Sequence, residues 1–286
     1  EGAVPGDLHI VLDVVAGSIE NTSYVSGLDR LRAMTSSEGP IQVEATSTPV
    51  LGSRRAPAAR LGVGVVHDPV TAIVTGTIAA GELLPTETEL CEHFGVSRTV
   101  IRESVKRLEE KGLVTVVQGR GTQVTEAVEW NILDRVVLSA LIEHDDEIGI
   151  LDELAVVRGQ LESVMAATAA EVRDADQLAS LHAAHELMAA SSGRLEAFAR
   201  NDVEFHAEIM AISKNTLATG IARTLVRRAS EFSRFYGAPG PDAHRLTIEE
   251  HAAVLDAIEA GDQAAAATAM LDHITAAWAR RRLPRQ

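Results

Sequence analysis

Four residues in the C-terminal half have the types and spacing to hold a metal ion. Asp202 and His206 lie four apart, so on a helix both project from one face. His251 follows Glu249 and Glu250, and His273 comes 22 residues later. Three imidazoles and one carboxylate suit a borderline divalent ion, zinc foremost, with nickel or manganese also accommodated. The plainer alternative is a surface or internally satisfied histidine, and the chain has 10 of them. Spacing alone leaves both open. His9, His67, His93, His144, His182, His185 and His244 show no such grouping and take the plainer role. A second constellation lies upstream. From Ser97 to Gly112, Arg98, Arg102, Lys106, Arg107 and Lys111 stand against only Glu103, Glu109 and Glu110. A local positive field of that kind suits a polyanion.

The elements that must position these groups are mostly helices. Over 65–81, Val66, Val70, Ile73, Val74 and Ile78 recur at helical steps. Asp68 before Pro69 reads as the start of that helix, and Gly81 sits past its end. Thr86 with Glu89 is a capping-box pattern opening a second helix to about His93. Gly95 permits a sharp turn, and Ser97 caps a third helix buried through Val100, Ile101, Val105 and Leu108. Arg98, Thr99 and Arg102 fall on the opposite side near its N-terminal end, where a recognition helix meets bases and phosphates. Gly112 closes it. Leu113–Val117 and Thr122–Thr125 are β-prone, with Gln118-Gly119-Arg120-Gly121 between them: a hairpin wing with Arg120 at its tip.

Downstream the pattern is helical almost throughout. Helices are expected over Leu151–Arg173, Asp176–Ser191, Leu195–Ser213, Thr216–Phe235, Thr247–Ala260 and Asp262–Arg282. The first would bury Leu154, Val157, Leu161, Val164 and Met165. The fold class is therefore mainly α: an N-terminal winged helix-turn-helix followed by an antiparallel all-helical bundle. Domains are assigned as a poorly structured or atypical extension over 1–60, the winged helix over 61–127, and a helical effector-binding and dimerisation domain over 128–286.

Composition bounds the rest. A net charge of −15 argues at first against nucleic acid, but residues 65–125 carry 6 Lys/Arg and 8 Asp/Glu, so the excess lies elsewhere, mostly after 125. No apolar run approaches the roughly 18 residues of a membrane span. The short run His9–Val15 has no basic segment before it, as a signal peptide would. Cys91 is the single cysteine and cannot form an internal disulfide, so a reducing, cytoplasmic setting is expected.

At this point a resemblance enters. Leu84-Pro85-Thr86-Glu87 with Glu89-Leu90, Gly95-Val96-Ser97-Arg98-Thr99, Val100-Ile101-Arg102-Glu103, Leu108, Gly112-Leu113 and Gly119-Arg120-Gly121-Thr122 resemble the DNA-binding domain of GntR-type bacterial transcription regulators. The resemblance implies that Arg98, Thr99 and Arg102 read DNA and that the wing tip, Gly119, Arg120 and Gly121, reaches the minor groove. Thr88 departs from it, standing where many relatives carry a DNA-touching Arg, so less electrostatic affinity is expected. Cys91 stands where relatives have a small apolar residue and is taken as core.

Residues 145–280 are similar to the FCD effector domain of the FadR subfamily, through Arg158 with Leu161-Glu162, Asp202 with Phe205-His206, Asn215, Glu250-His251, Ala257-Ile258 with Gly261-Asp262, and Met270 with His273. In metal-binding members an Asp-x₃-His and two later histidines hold the ion, which implies that Asp202, His206, His251 and His273 do so here. Positions left open on the ion would take a small carboxylate. Arg158 is a candidate carboxylate clamp, the alternative being an ion pair with Glu162. Asn215 is a candidate partner for an effector hydroxyl, or else a helix C-cap. Trp130–Asp134 resembles the linker of members that answer to sugar acids. The expectation is a homodimeric regulator, a repressor, on a palindromic double-stranded operator, released by a sugar or hydroxy acid. The alternatives are a sensor of the metal itself and a metalloenzyme on hydroxy acids. Glu204 points well away from Asp202 around the helix, which leaves the enzyme without a base.

Overall fold

The structure, a computed structural model, describes residues 58–145, 149–237 and 242–282. Apart from helical residues 58–60, the expected N-terminal extension lies outside the described residues. The chain divides into two compact units at Glu129/Trp130.

The first unit is a winged helix. Helix α1 spans Ala58–Val74, α2 Glu87–Phe94 and α3 Arg98–Glu110. Two expectations for α1 are corrected. It begins upstream of Asp68 and runs through Pro69, which removes one helical N–H. Buried Val65, Val66, Val70 and Ile73 hold it across that gap. It also stops at Val74, because Gly76 (φ 71°) turns left-handed and Ile78 bonds back to the Ala72 carbonyl. The capping box of α2 forms in full: Thr86 N–H donates to Glu89 Oε2 at 2.7 Å and Glu89 N–H to Thr86 Oγ1 at 3.3 Å. Gly95, at φ 63°, makes the left-handed turn into α3. Ser97 occupies the N-cap of α3, but its hydroxyl makes no capping bond, contrary to expectation. Ile101, Ser104 and Leu108 form the buried side of α3. Strands β1 (Val114–Val117) and β2 (Gly121–Val124) pair antiparallel, from Val114 opposite Val124 to Val117 opposite Gly121. The wing thus rests on buried Val114 and Val124 and projects Gly119 and Arg120.

The second unit is the bundle: α4 Arg135–Glu143, α5 Gly149–Val172, α6 Ala175–Ala190, α7 Leu195–Ser213, α8 Thr216–Ala229, α9 Ser233–Tyr236, α10 Ala243–Ala260 and α11 Gln263–Arg281. The expected Thr216–Phe235 helix breaks around Ser230–Phe232, and the short α9 folds Phe235 against Trp278. Helix α5 is the axis, packing against α11, α7, α8 and α10. Small residues allow the close approach: Ala166, Ala169 and Ala170 are fully buried, and a Cβ on Gly159 would lie 2.9 Å from Leu271 Cδ1. The buried face of α5 differs from the expected one. Leu154 and Met165 are inside, but Val157 and Val164 are 45% and 57% exposed, and the interior positions go to Arg158 and Glu162. Among the described residues no helix is long and apolar enough to cross a membrane.

Candidate metal centre and nucleic-acid interface

The bundle core brings Asp202, His206, His251 and His273 together from α7, α10 and α11, with one ligand atom of each within 4.8 Å of the others. The three Nε2 atoms converge: His251 to His273 at 2.9 Å, His206 to His251 at 3.3 Å, and His206 to His273 at 3.3 Å. Asp202 Oδ1 is 3.6 Å from His251 Nε2. All three rings are buried, and Asp202 is the member that opens towards solvent. Ring nitrogens at roughly 2.0–2.1 Å from a zinc ion lie about 2.8–3.4 Å apart, across octahedral to tetrahedral angles. The donor set therefore fits a divalent ion in both type and spacing.

The far side of each ring explains why the Nε2 atoms face inwards. His273 Nδ1 is 2.9 Å from Glu250 Oε2, and His206 Nδ1 is 2.5 Å from Glu162 Oε2. A carboxylate beside Nδ1 favours the Nδ1–H tautomer and leaves the Nε2 lone pair for an ion. His251 Nδ1 faces the Met188 sulfur at 3.0 Å, a weak acceptor, and its ring stacks on Phe205 with centroids 4.4 Å apart. Burial, reinforced by the neighbouring His273 and His206, pushes His251 well below the usual imidazole range. Burial also lowers His273, with Glu250 opposing. Neutral imidazole is the form that ligates.

Glu162 and Glu250 stay ionised beside those rings. Burial opposes this for Glu162, but Arg158 and His206 outweigh it and hold the carboxyl at about 2. For Glu250, burial is outweighed by bonds from His273 and Arg280, again to about 2. The sequence reading treated Glu162 only as a partner of Arg158 and gave Glu250 no task. Glu250, adjacent to His251, carried a local signal, whereas Glu162, remote in sequence from every member of the quartet, did not.

Beside the quartet lies a cavity of 210 Å³, bordered by Asp202 and His273 and also by Arg158, His244, Tyr236 and Arg281. Both alternatives for Arg158 coexist. Its Nε donates to Glu162 Oε1 at 2.5 Å, and the residue still borders the cavity. Asn215 stands apart. It is exposed, does not border the cavity, and caps the N-terminus of α8, its Oδ1 accepting from Ala218 N–H at 3.1 Å. The expected C-cap is thus an N-cap. His244, expected as a surface or internally satisfied histidine, is satisfied: it stacks on Phe198 at 3.9 Å, with Nδ1 accepting from Gly193 N–H. Its remaining nitrogen then carries the proton. No local pattern in the sequence announced His244, Tyr236 or Arg281.

In the winged helix, Arg98, Thr99 and Arg102 are exposed along the start of α3, and Gly119, Arg120 and Gly121 at the wing. Arg102 Nε is held by both oxygens of Glu87, at 3.1 and 3.0 Å, a contact between α2 and α3 that sequence did not reveal. Thr88 is exposed on α2, and Cys91 is half-buried rather than core.

Comparison with known proteins agrees with both units. Residues 65–124 match the family described as bacterial regulatory proteins, gntR family, and residues 153–276 match the FCD domain. The galactonate operon transcriptional repressor of Escherichia coli (strain K12) is 34% identical over 211 residues, covering 73% of this chain and 91% of its own. The HTH-type regulator YieP of the same strain is 33% identical, covering 68% and 84%. The HTH-type transcriptional regulator LutR of Bacillus subtilis (strain 168) is 29% identical, covering 71% and 93%. These relatives and both matched domains are transcription regulators, not enzymes. With a winged helix-turn-helix in one unit and an FCD effector domain in the other, this chain belongs to the GntR family of bacterial transcription regulators.

Proposed function

We propose that this regulator is a repressor of the FadR subfamily whose operator affinity is set by a small carboxylic acid, a sugar or hydroxy acid, bound at a divalent ion in the bundle. The observation that carries this reading is the convergence of three buried Nε2 atoms and Asp202 on the edge of a cavity that Arg158 also borders. Asp202, His206, His251 and His273 would hold the ion, with zinc preferred by three nitrogens and one oxygen. When bound, the ion supplies a Lewis-acid position that a carboxylate can occupy.

The residues do the rest. Glu162 and Glu250 keep the rings of His206 and His273 turned inwards, and Arg158, its Nε held by Glu162, would donate to the bound acid from the cavity wall. Arg98, Thr99 and Arg102 enter the major groove, and the wing, with Arg120, the minor groove. The relative named for a galactonate operon supports a sugar acid. A homodimer follows from the need for two recognition helices on a palindrome. Its support in the structure is α8, which turns Leu217 outwards at 75% exposure beside Gly220 and Ile221. Acid binding would then shift the pose of the two readers by differential affinity for the bound and released states.

The test is a gel shift on the operator with metal-free and zinc-loaded protein, each titrated with a panel of sugar acids. Release is expected with zinc and acid together, and Asp202→Ala is expected to abolish it. Release by zinc alone would replace this reading with that of a metal sensor.

A further inference from the structure

We propose that the cavity takes a linear acid with an anionic group at each end, the far group being gripped by Arg281 and Tyr236. This deepens, and rests on, the reading that an acid binds at the Asp/His quartet. The cavity follows one side of α11: His273, Ala277, Arg280 and Arg281 all border it. Over His273 to Arg281 the helix rises roughly 12 Å, at about 1.5 Å per residue. The Arg281 side chain folds back one turn, its Nε on the Ala277 carbonyl, so its guanidinium stands on the same lining at less than that rise from the quartet.

Arg281 differs from its neighbours in having no carboxylate at ion-pair distance among the described residues, Asp202 being the acid whose charge it feels. Arg158 is paired with Glu162, and Arg280 makes a two-pronged pair with Glu250, at 2.5 and 2.7 Å. Arg281 gives its Nε to the Ala277 carbonyl at 3.1 Å and lies over the Phe235 ring at 5.2 Å. Among the described residues, no carboxylate pairs with its guanidinium. Next to it in the lining, the buried Tyr236 hydroxyl makes no well-formed hydrogen bond among the described residues, with the Ser230 side chain beside it. A guanidinium without an ion pair and a phenol O–H, side by side on the lining of a cavity, make a receptor for an oxyanion.

Backbone packing fixes this end. A Cβ on Gly237, which follows Tyr236, would lie 1.6 Å from the Arg281 carbonyl oxygen, so α9 and the end of α11 are pressed together. Charge balance points the same way. Arg158, Arg280 and Arg281 offset Glu162, Glu250 and Asp202 one for one. A divalent ion on the quartet adds two positive charges to a buried site, and a doubly charged ligand neutralises them where a singly charged one leaves a surplus.

The experiment is calorimetric titration of the zinc-loaded full chain with gluconate, glucarate and gluconate phosphorylated at its far end. An acid with a second anionic group is expected to bind roughly tenfold tighter than gluconate or better. Preference for glucarate marks the second group as a carboxylate, and preference for the phosphorylated acid marks it as a phosphate. Arg281→Gln should erase the advantage while leaving gluconate within about threefold, and Arg281→Lys, which keeps the charge, should retain part of it. Equal binding of gluconate and both two-ended acids by the native protein overturns the proposal, as does an equal loss of all three in Arg281→Gln. If no acid binds, or if binding survives Asp202→Ala, the quartet is not the acid site and the underlying reading falls too.

Discussion

Arg102 lies exposed near the start of α3, the side proposed to face DNA, with its Nε already engaged by Glu87. That pair is exposed and contributes little to stability, on the order of 0–1 kcal/mol. Its consequence is directional: both Nη groups are left for a base edge while the side chain is steered from α2. Glu87→Gln should raise affinity for unrelated DNA, because a negative charge leaves the interface, and should narrow the gap between operator and unrelated DNA. Paired fluorescence titrations on both duplexes, at one stated salt concentration, test this. An unchanged ratio would remove Glu87 from recognition. The Asp-x₃-His spacing made half of the quartet legible, because four residues on a helix fix a shared face. Glu162 was not legible in its second role, since contact with His206 depends on α5 meeting α7. Arg102 showed its charge but not its partner, for the same reason.

For single helices, local chemistry was read correctly where it is self-contained. The Thr86/Glu89 box lies within four residues and forms with both reciprocal bonds. Thr86→Ala should lower the stability of the winged helix by about 1 kcal/mol. The backbone N–H and hydroxyl of Thr86 hold Glu89 below its usual carboxylate value. That contribution is full above the unfolded value and disappears as pH falls through the depressed folded one. Acid titration followed by circular dichroism should therefore show a shallower loss in the alanine variant than in the native protein. Reading failed where a helix obeys its neighbours. An apolar period on α5 pointed to Val157 and Val164 as core, yet the bundle buries the charged pair Arg158–Glu162 and exposes both valines. Periodicity cannot anticipate a polar interior built for a site. Pro69 likewise suggested a helix start, but tertiary burial carried α1 through it.

For the whole molecule, the order of elements was legible because turns, caps and the wing each carry their own residues. The relation of one chain to its twin was not, since an interface leaves no period of its own. If two copies associate through α8, placing a charge at its most exposed apolar residue should separate them. Leu217→Glu is expected to sediment as a monomer at concentrations where the native protein is a dimer, and to bind a full palindrome no better than a half-site. A variant that stays dimeric would move the interface off α8. The −15 net charge is unevenly divided: the winged helix carries little of it, and the acidic excess lies mainly after residue 125.

If an ion and an acid bind as proposed, the burial of three rings and the partial exposure of Asp202 would also set an order of events. An acid lodged in the cavity stands across the side on which the quartet opens. Ion and acid should then arrive in sequence and leave in reverse, so that the acid acts as a stopper on the ion. Chelator added to zinc-loaded protein should strip it more slowly as acid saturates the cavity, with the rate falling in step with the unoccupied fraction. A stripping rate indifferent to acid would mean that the ion has another way out.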